Sequence, residues 1–352
     1  MIKTFATIIG ARPQFIKSSP LSRVVDSCKD INELMINTGQ HFDANMSRVF
    51  FDEMELSAPS YNLNINKYSR GKMIDKMVLE IVQILIKENV SAVLVYGDTN
   101  STLAGAIAGS KLNVPIFHIE SGLRSWNRFM HEEINRIITD HLSSLLFCPT
   151  VSAINNLREE KIIDGVVLSG DVLFDCYLNF KKIIPLQDRK PLTDRYILAT
   201  IHRRENLESK ERLSAIFSNL DLVNNHTKIL MPIHPHTIKV LNEFNIKSKI
   251  DFIEPMGYLS LLNSLNNCEL VITDSGGLQK EAYFAKKKCL TVRTETEWTE
   301  LIKSGVSILT EPESILKSLE LLRNKKCDFS TNFYGDGMSS SIIFDSIKSY
   351  LL

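Results

Sequence analysis

Several polar clusters in this chain each follow directly on a short apolar run. The segment Thr273-Asp274-Ser275-Gly276-Gly277-Leu278-Gln279-Lys280-Glu281 has the composition of a strand-to-helix turn. Its two glycines let a ligand approach the main chain, and the N–H groups of a helix start attract an anion such as phosphate. Ser275 adds a hydroxyl donor or caps the helix, and Glu281 brings a carboxylate suited to ribose hydroxyls. A plain N-cap at Asp274 or Ser275, with the glycines only making the turn, is the competing reading. The segment Gly10-Ala11-Arg12-Pro13-Gln14-Phe15-Ile16-Lys17 lacks the G-x-G-x-x-G of a dinucleotide cradle. Pro13 suits a first helical position, which leaves Arg12 at the loop mouth, able to grip a diphosphate bidentately, with Lys17 a turn further on. Cations oppose the dipole of a helix start, so they point to an anionic partner; a solvated Arg and Lys is the bland alternative.

A third cluster is carboxylic. Asp98 follows the run 92–96, Glu120 ends the run 115–120 inside His118-Ile119-Glu120-Ser121-Gly122-Leu123-Arg124, and Glu132 and Glu133 open a helical stretch. Acids at helix starts are electrostatically ordinary, but acids at three successive element ends can converge. Crowded in a partly dry cleft, they push one another's pKa values apart into an acid and a base. A fourth cluster, Thr200-Ile201-His202-Arg203-Arg204-Glu205-Asn206, offers His202 as a diphosphate donor or proton-transfer group. His234-Pro235-His236 has metal-pair spacing but no third ligand nearby in sequence, so no metal is expected. Arg293 and Trp298 follow another apolar run; Trp298 could equally be core.

The elements that must position these residues alternate. Strands are predicted at 4–9, 33–38, 92–96, 115–120, 145–149 and 166–169, with helices at 14–27, 70–88, 101–111, 132–142 and 152–160 between them. A polar, proline-containing stretch at 184–194 reads as a linker. Alternation then restarts, with strands at 196–200, 228–232, 250–252, 270–273 and 288–292 and helices at 209–224, 259–267, 278–285 and 312–324. The pattern is that of an α/β chain with two doubly wound, parallel-sheet domains at 1–180 and 190–335, and a helix at 338–352 packing back on the first. Ligands of such sheets sit beyond the strand carboxyl ends, so all four clusters are expected to face a cleft between the halves.

Composition narrows the function classes. Lys+Arg and Asp+Glu each number 41 in 352 residues, so there is no basic surplus to draw nucleic acid or an anionic membrane. No apolar run reaches the ~18 residues of a membrane span, and the opening residues read as a first strand, not a signal peptide. The 6 cysteines are scattered with no C-x-x-C pair, as expected of reduced thiols in the cytoplasm, not of a disulfide scaffold or cysteine zinc site.

Together these segments resemble the non-hydrolysing UDP-N-acetylglucosamine 2-epimerases. The resemblance is carried, in order along the chain, by GARPQFIK at 10–17, TGQH at 38–41, GDTNSTLAG at 97–105, HIESGLRS at 118–125, EEINR at 132–136, FCPT at 147–150, IHRREN at 201–206 and TDSGGLQKE at 273–281. It implies two Rossmann-like domains in a glycosyltransferase-B-like arrangement. It also implies a UDP-sugar substrate, no cofactor, a cytoplasmic homodimer, and a product that supplies cell-surface polysaccharide. Carried over residue by residue, Arg12, His202, Ser275, Gly276 and Gly277 would hold the diphosphate and Glu281 the ribose, while Lys17 is counted with the UDP-binding residues and also, with Arg136, as a support of the acids. Asp98, Glu120 and Glu132, with His202, would be catalytic, and Arg136 and Arg293 would support the substrate. The chain departs from the family where His131 replaces a frequent proline, and where 42–46 lacks a second glutamine tied to allosteric activation. Segments 170–172, 202–206 and 293–300 look closer to a branch acting on UDP-2,3-diacetamido-2,3-dideoxy-glucuronate.

For a UDP-hexosamine the chemistry follows. The C2 proton has no adjacent carbonyl, so direct abstraction is too hard, and transient oxidation would need a dinucleotide site that the sequence lacks. Loss of UDP from C1 makes the C2 proton acidic, and two acid–base groups can then return a proton to the opposite face of a 2-acetamidoglucal while UDP adds back. A glycosyltransferase on the same architecture is the rival, and a non-catalytic nucleotide-sugar-binding module the third reading.

Overall fold

The computed structural model describes residues 2–40, 57–66, 68–183 and 195–352, with the backbone alone at Arg12 and Arg70. The chain forms two compact units, residues 1–178 with 332–352, and residues 179–331. The linker expected at 184–194, and His41 with the 42–46 segment, lie outside the described residues.

The first unit is built on seven parallel strands: β1 (Lys3–Ile9), β2 (Ile31–Asn37), β3 (Tyr61–Asn62), β4 (Ala92–Tyr96), β5 (Ile116–Ile119), β6 (Leu145–Cys148) and β7 (Val166–Leu168). Their order is β3-β2-β1-β4-β5-β6-β7. β4, Ala92-Val93-Leu94-Val95-Tyr96, is wholly buried, as a near-continuous apolar run in a sheet covered on both faces must be. Helices α1 (Arg12–Asp26), α2 (Arg70–Lys87), α3 (Asn100–Lys111), α4 (His131–Leu142) and α5 (Val151–Glu159) cross between strands, and α6 (Val172–Ile183) follows β7. Ala104, Ala106 and Ala108 of α3 pack into the core with Ile8, Val93 and Val95, small residues that let helix and sheet approach closely.

The second unit has six parallel strands, β8 (Ile197–Thr200), β9 (Ile229–Pro232), β10 (Phe252–Ile253), β11 (Val271–Thr273), β12 (Cys289–Thr291) and β13 (Ser307–Leu309), in the order β10-β9-β8-β11-β12-β13. Its helices are α7 (Arg204–Leu207), α8 (Lys210–Asn224), α9 (Pro235–Glu243), α10 (Tyr258–Asn267), α11 (Gly276–Phe284), α12 (Thr299–Lys303) and α13 (Ile315–Asn324). Its core gathers Ile197, Ala199, Phe217, Met231, Ile272 and Leu290. The last helix, α14 (Ser339–Leu351), lies against α1 in the first unit. Both sheets are thus doubly wound, as the alternation of elements predicts, and each reverses its winding beside its first strand, between β1 and β4 and between β8 and β11.

Most predicted elements shift by a residue or two at their ends. The sequence reading lacks α6, α9, the short α7 and α12, and the edge strands β3 and β13. Four cysteines are buried, Cys148, Cys176, Cys268 and Cys289, and none of the six is in a disulfide among the described residues. Burial pushes the Cys148 and Cys289 thiols up to about 12 and Cys268 to about 11, so they are inert core thiols. Among the described residues no helix is long and apolar enough to cross a membrane.

Candidate active site

In the first unit one side chain closes the point where the winding reverses. Gln14 on α1 accepts from the N–H groups of Gly10 and Ala11 at 2.8 and 3.0 Å and donates to the Tyr96 carbonyl at 2.8 Å. It also reaches the hydroxyls of Thr99 and Thr102, both at 3.0 Å. The loops after β1 and β4 are thereby tied together. The helix starts at Arg12, so Pro13 sits second, not first.

Asp98 and Glu120 leave the carboxyl ends of neighbouring strands, since β4 pairs with β5. Both bends need the left-handed region. Gly97 has φ +65°, and a Cβ there would lie 3.2 Å from Glu120 Oε2. Glu120 itself adopts φ +68°, which costs a residue with a Cβ roughly 1–2 kcal/mol. Such an outlier points toward function. Each acid has its own cation. Lys17 Nζ is ion-paired with Glu120, which is 5% exposed, and Arg136 Nη2 donates to Asp98 Oδ2 at 2.6 Å. Lys17, expected both as a UDP contact and as a support of the acids, meets the acids here, because position 17 of α1 faces the end of β5. Asn135 donates to the Asp98 carbonyl at 2.8 Å.

Of the successive acids that open α4, Glu132 is exposed and Glu133 fully buried. Behind the acids runs a buried charge network. His118 meets Asp140 through Nδ1 at 2.6 Å and the Gly97 carbonyl through Nε2 at 2.8 Å. Asp140 accepts from Gly122 N at 3.1 Å and pairs with Arg124 at 2.7 Å. Arg124 donates to both oxygens of Glu160, at 2.6 and 2.8 Å. Burial raises the Asp140 carboxyl, but His118 and Arg124 outweigh it and hold the group below the usual range. A cavity of about 340 Å³ lined by Trp126, Arg128, Glu133, Ile137, His141 and Glu160 adjoins this network.

The second unit repeats the device. Asp274, fully buried after β11, accepts from the N–H groups of His202 and Arg203 at 3.0 and 2.9 Å and from Asn206 Nδ2 at 2.9 Å. It is a tie between the loops after β8 and β11, not the helix cap. The cap is Ser275, whose Oγ accepts from Leu278 N at 3.4 Å. His202 stays about half exposed, with Nδ1 3.4 Å from Asp274. A Cβ at Gly277 would meet nothing within 4 Å, so the start of α11 is open there, whereas at Gly276 it would come 2.8 Å from Glu297 Oε1. Glu281, one turn into α11, is buried.

Arg293 is buried, with Nη1 on Glu297 at 3.0 Å. Trp298 is also buried, under the Lys280 ammonium, 4.1 Å from the ring centroid. His234 caps α9, its Nδ1 accepting from the His236 N–H at 3.1 Å, which gives the His234 ring a structural role. Among the described residues no group of three or more His, Cys, Asp or Glu is placed to hold a metal.

The first unit therefore brings together Lys17, Asp98, Glu120 and Arg136, and the second His202, Ser275, Gly276 and Gly277; the Arg12 side chain lies outside the described residues. Sequence reasoning gives no role to Gln14, His118 or Asp140. Their signal is chemical: a polar side chain within a strand, or one turn from a strand end, must find partners when buried.

Two doubly wound parallel sheets with charged and glycine-marked loops at their strand carboxyl ends are the α/β architecture whose ligands sit beyond those ends. The chain belongs to the UDP-N-acetylglucosamine 2-epimerase family, whose model it matches over residues 23–348. A Methanococcus maripaludis protein named as a homologue of that epimerase is 44% identical over 97% of this chain and 99% of its own. The Pseudomonas aeruginosa UDP-2,3-diacetamido-2,3-dideoxy-D-glucuronate 2-epimerase is 44% identical over 96% of this chain and 97% of its own. The structure is similar, at a TM-score of 0.92 and 40% identity over 99% of both chains, to the Methanocaldococcus jannaschii UDP-GlcNAc 2-epimerase crystallised with UDP-GlcNAc and UDP. Family membership favours the epimerase reading over the glycosyltransferase and binding-module readings.

Proposed function

We propose that the chain interconverts the C2 epimers of a UDP-N-acetylhexosamine, UDP-GlcNAc and UDP-ManNAc, without hydrolysis. The observation that carries the reading is the pair of carboxylates at adjacent strand ends, Asp98 on Arg136 and Glu120 on Lys17. Ser275, the N–H groups of Gly276 and Gly277, His202 and Arg12 hold the diphosphate, and Glu281 takes the ribose; Arg293 supports the sugar nucleotide. The C1–O bond to UDP breaks with its electron pair leaving on the diphosphate. One carboxylate takes the C2 proton, giving the 2-acetamidoglucal. A second returns a proton to the opposite face while the diphosphate oxygen re-forms the C1 bond. Glu132, exposed at the start of α4, is the third acid of this set. The working form is a cytoplasmic homodimer.

A second reading keeps the chemistry and changes the sugar to UDP-2,3-diacetamido-2,3-dideoxy-glucuronate. It is favoured by the 44% identity to the epimerase of that name. A panel of neutral and uronic UDP-sugars incubated in deuterated water separates the two. Deuterium at C2 of UDP-GlcNAc supports the first, deuterium confined to the diacetamido uronate the second, and no label in any sugar contradicts both.

A further inference from the structure

We infer that Glu133 is a positioning residue for the reaction: from a buried seat it holds Arg136, and through Arg136 it aims the carboxylate of Asp98. The inference rests on the role given to Asp98 above. Glu133 is fully buried, and its negative charge is matched by four donors. Oε2 accepts from Ser125 N at 2.9 Å, Ser125 Oγ at 3.1 Å and Arg136 Nη1 at 3.0 Å, and Oε1 accepts from Trp126 N at 2.9 Å. Such a carboxylate has little freedom to move.

Arg136 stands one turn along α4 on the same face, so one arm of its guanidinium rests on Glu133 while the other reaches Asp98 at 2.6 Å. The guanidinium is rigid and planar, so fixing one arm aims the other. The two ends differ in the way a positioning device requires: Glu133 is sealed from solvent, and the Asp98 side chain is 31% exposed. Asn135, the preceding residue, holds the Asp98 backbone through its carbonyl. Thus α4 grips both the main chain and the side chain of Asp98, and Glu133 is its buried foothold. The same carboxylate pins the backbone at Trp126, where φ is +61°, so the 123–130 loop and the acid share one anchor.

The test uses the full-length protein and Glu133→Gln, which keeps shape and removes charge, with Glu133→Asp as the milder change should the first not fold. With the UDP-sugar that the wild type turns over, kcat is expected to fall about 10²-fold in Glu133→Gln. KM and the affinity for UDP should stay within about twofold, and Glu133→Asp should recover part of the loss. Because Glu133 acts through Arg136, adding Arg136→Lys should lose no more than the larger single loss. Wild-type kcat in a folded variant, or losses that add fully, overturns the inference. A crystal structure gives a readout independent of turnover. Glu133→Gln should show Arg136 displaced from Asp98, and Nη2 still seated on Asp98 overturns the inference whatever the wild type does. Absence of turnover by the wild type would count against the proposed function alone.

Discussion

Asp98 and Glu120 reach their places by different means. Asp98 follows a glycine that supplies the left-handed bend, whereas Glu120 takes that bend itself and is held by Lys17. An acid–base group contributes ~10²–10⁴-fold, so Asp98→Asn and Glu120→Gln should each lower kcat by about that factor, with UDP binding kept. Steady-state kinetics beside UDP titration checks this, and near-native kcat in either variant removes that residue from the mechanism. At this scale the residues by themselves show the acids, and only the family resemblance gives Lys17 and Arg136 as their supports. Asp98 and Glu120 stand out because each follows an apolar run. That Lys17 sits on Glu120 depends on how far α1 has turned by its sixth residue, which spacing alone leaves open among several groups. Likewise Glu132 and Glu133 are indistinguishable by composition. Only the rotation of α4 exposes one and buries the other.

The elements show one solution used twice. A single polar side chain ties the two loops flanking each reversal of winding, Gln14 in the first unit and Asp274 in the second. Behind the first, Asp140 joins α4 to the ends of β4 and β5 through His118 and Gly122. Breaking such a buried network from one side costs about 3–5 kcal/mol, so Asp140→Asn should be destabilised by that order at neutral pH. The sign of its pH dependence follows from the lowered carboxyl. Its stabilisation is present above the unfolded-state value near ~3.9 and is lost as pH falls through the lower folded-state value. Urea unfolding of wild type and variant should therefore differ most near neutrality and converge in acid; a gap that is constant with pH contradicts this. The strands were the most legible elements. The run 92–96 is β4 to the residue, because five apolar residues between a serine and a glycine leave little choice. α6 and α9 are less legible: aromatic and β-branched residues dilute helical periodicity in Val172–Ile183, and α9 is only nine residues long and begins at a proline.

At the scale of the molecule, the last helix returns to the first unit. Ile343, Phe344 and Ile347 of α14 join Phe5, Ile9, Leu21 and Val25 in one core. Asp175 on α6 accepts from Ser339 N and Ser340 N at 3.2 and 2.7 Å, satisfying the open donors at the start of α14. Each unit otherwise has its own core. The acids belong to one unit and the glycine-marked helix start to the other; the proposed reaction couples bond cleavage at C1 to proton transfer at C2. The most direct measurement places ¹⁸O at the oxygen bridging C1 and the diphosphate of the UDP-sugar that exchanges its C2 proton, and follows both isotopes in deuterated water. ¹⁸O is expected to move from the bridge to non-bridging positions in the course of turnover that brings deuterium to C2. Deuterium entering C2 while the ¹⁸O stays wholly at the bridge would contradict the proposed mechanism.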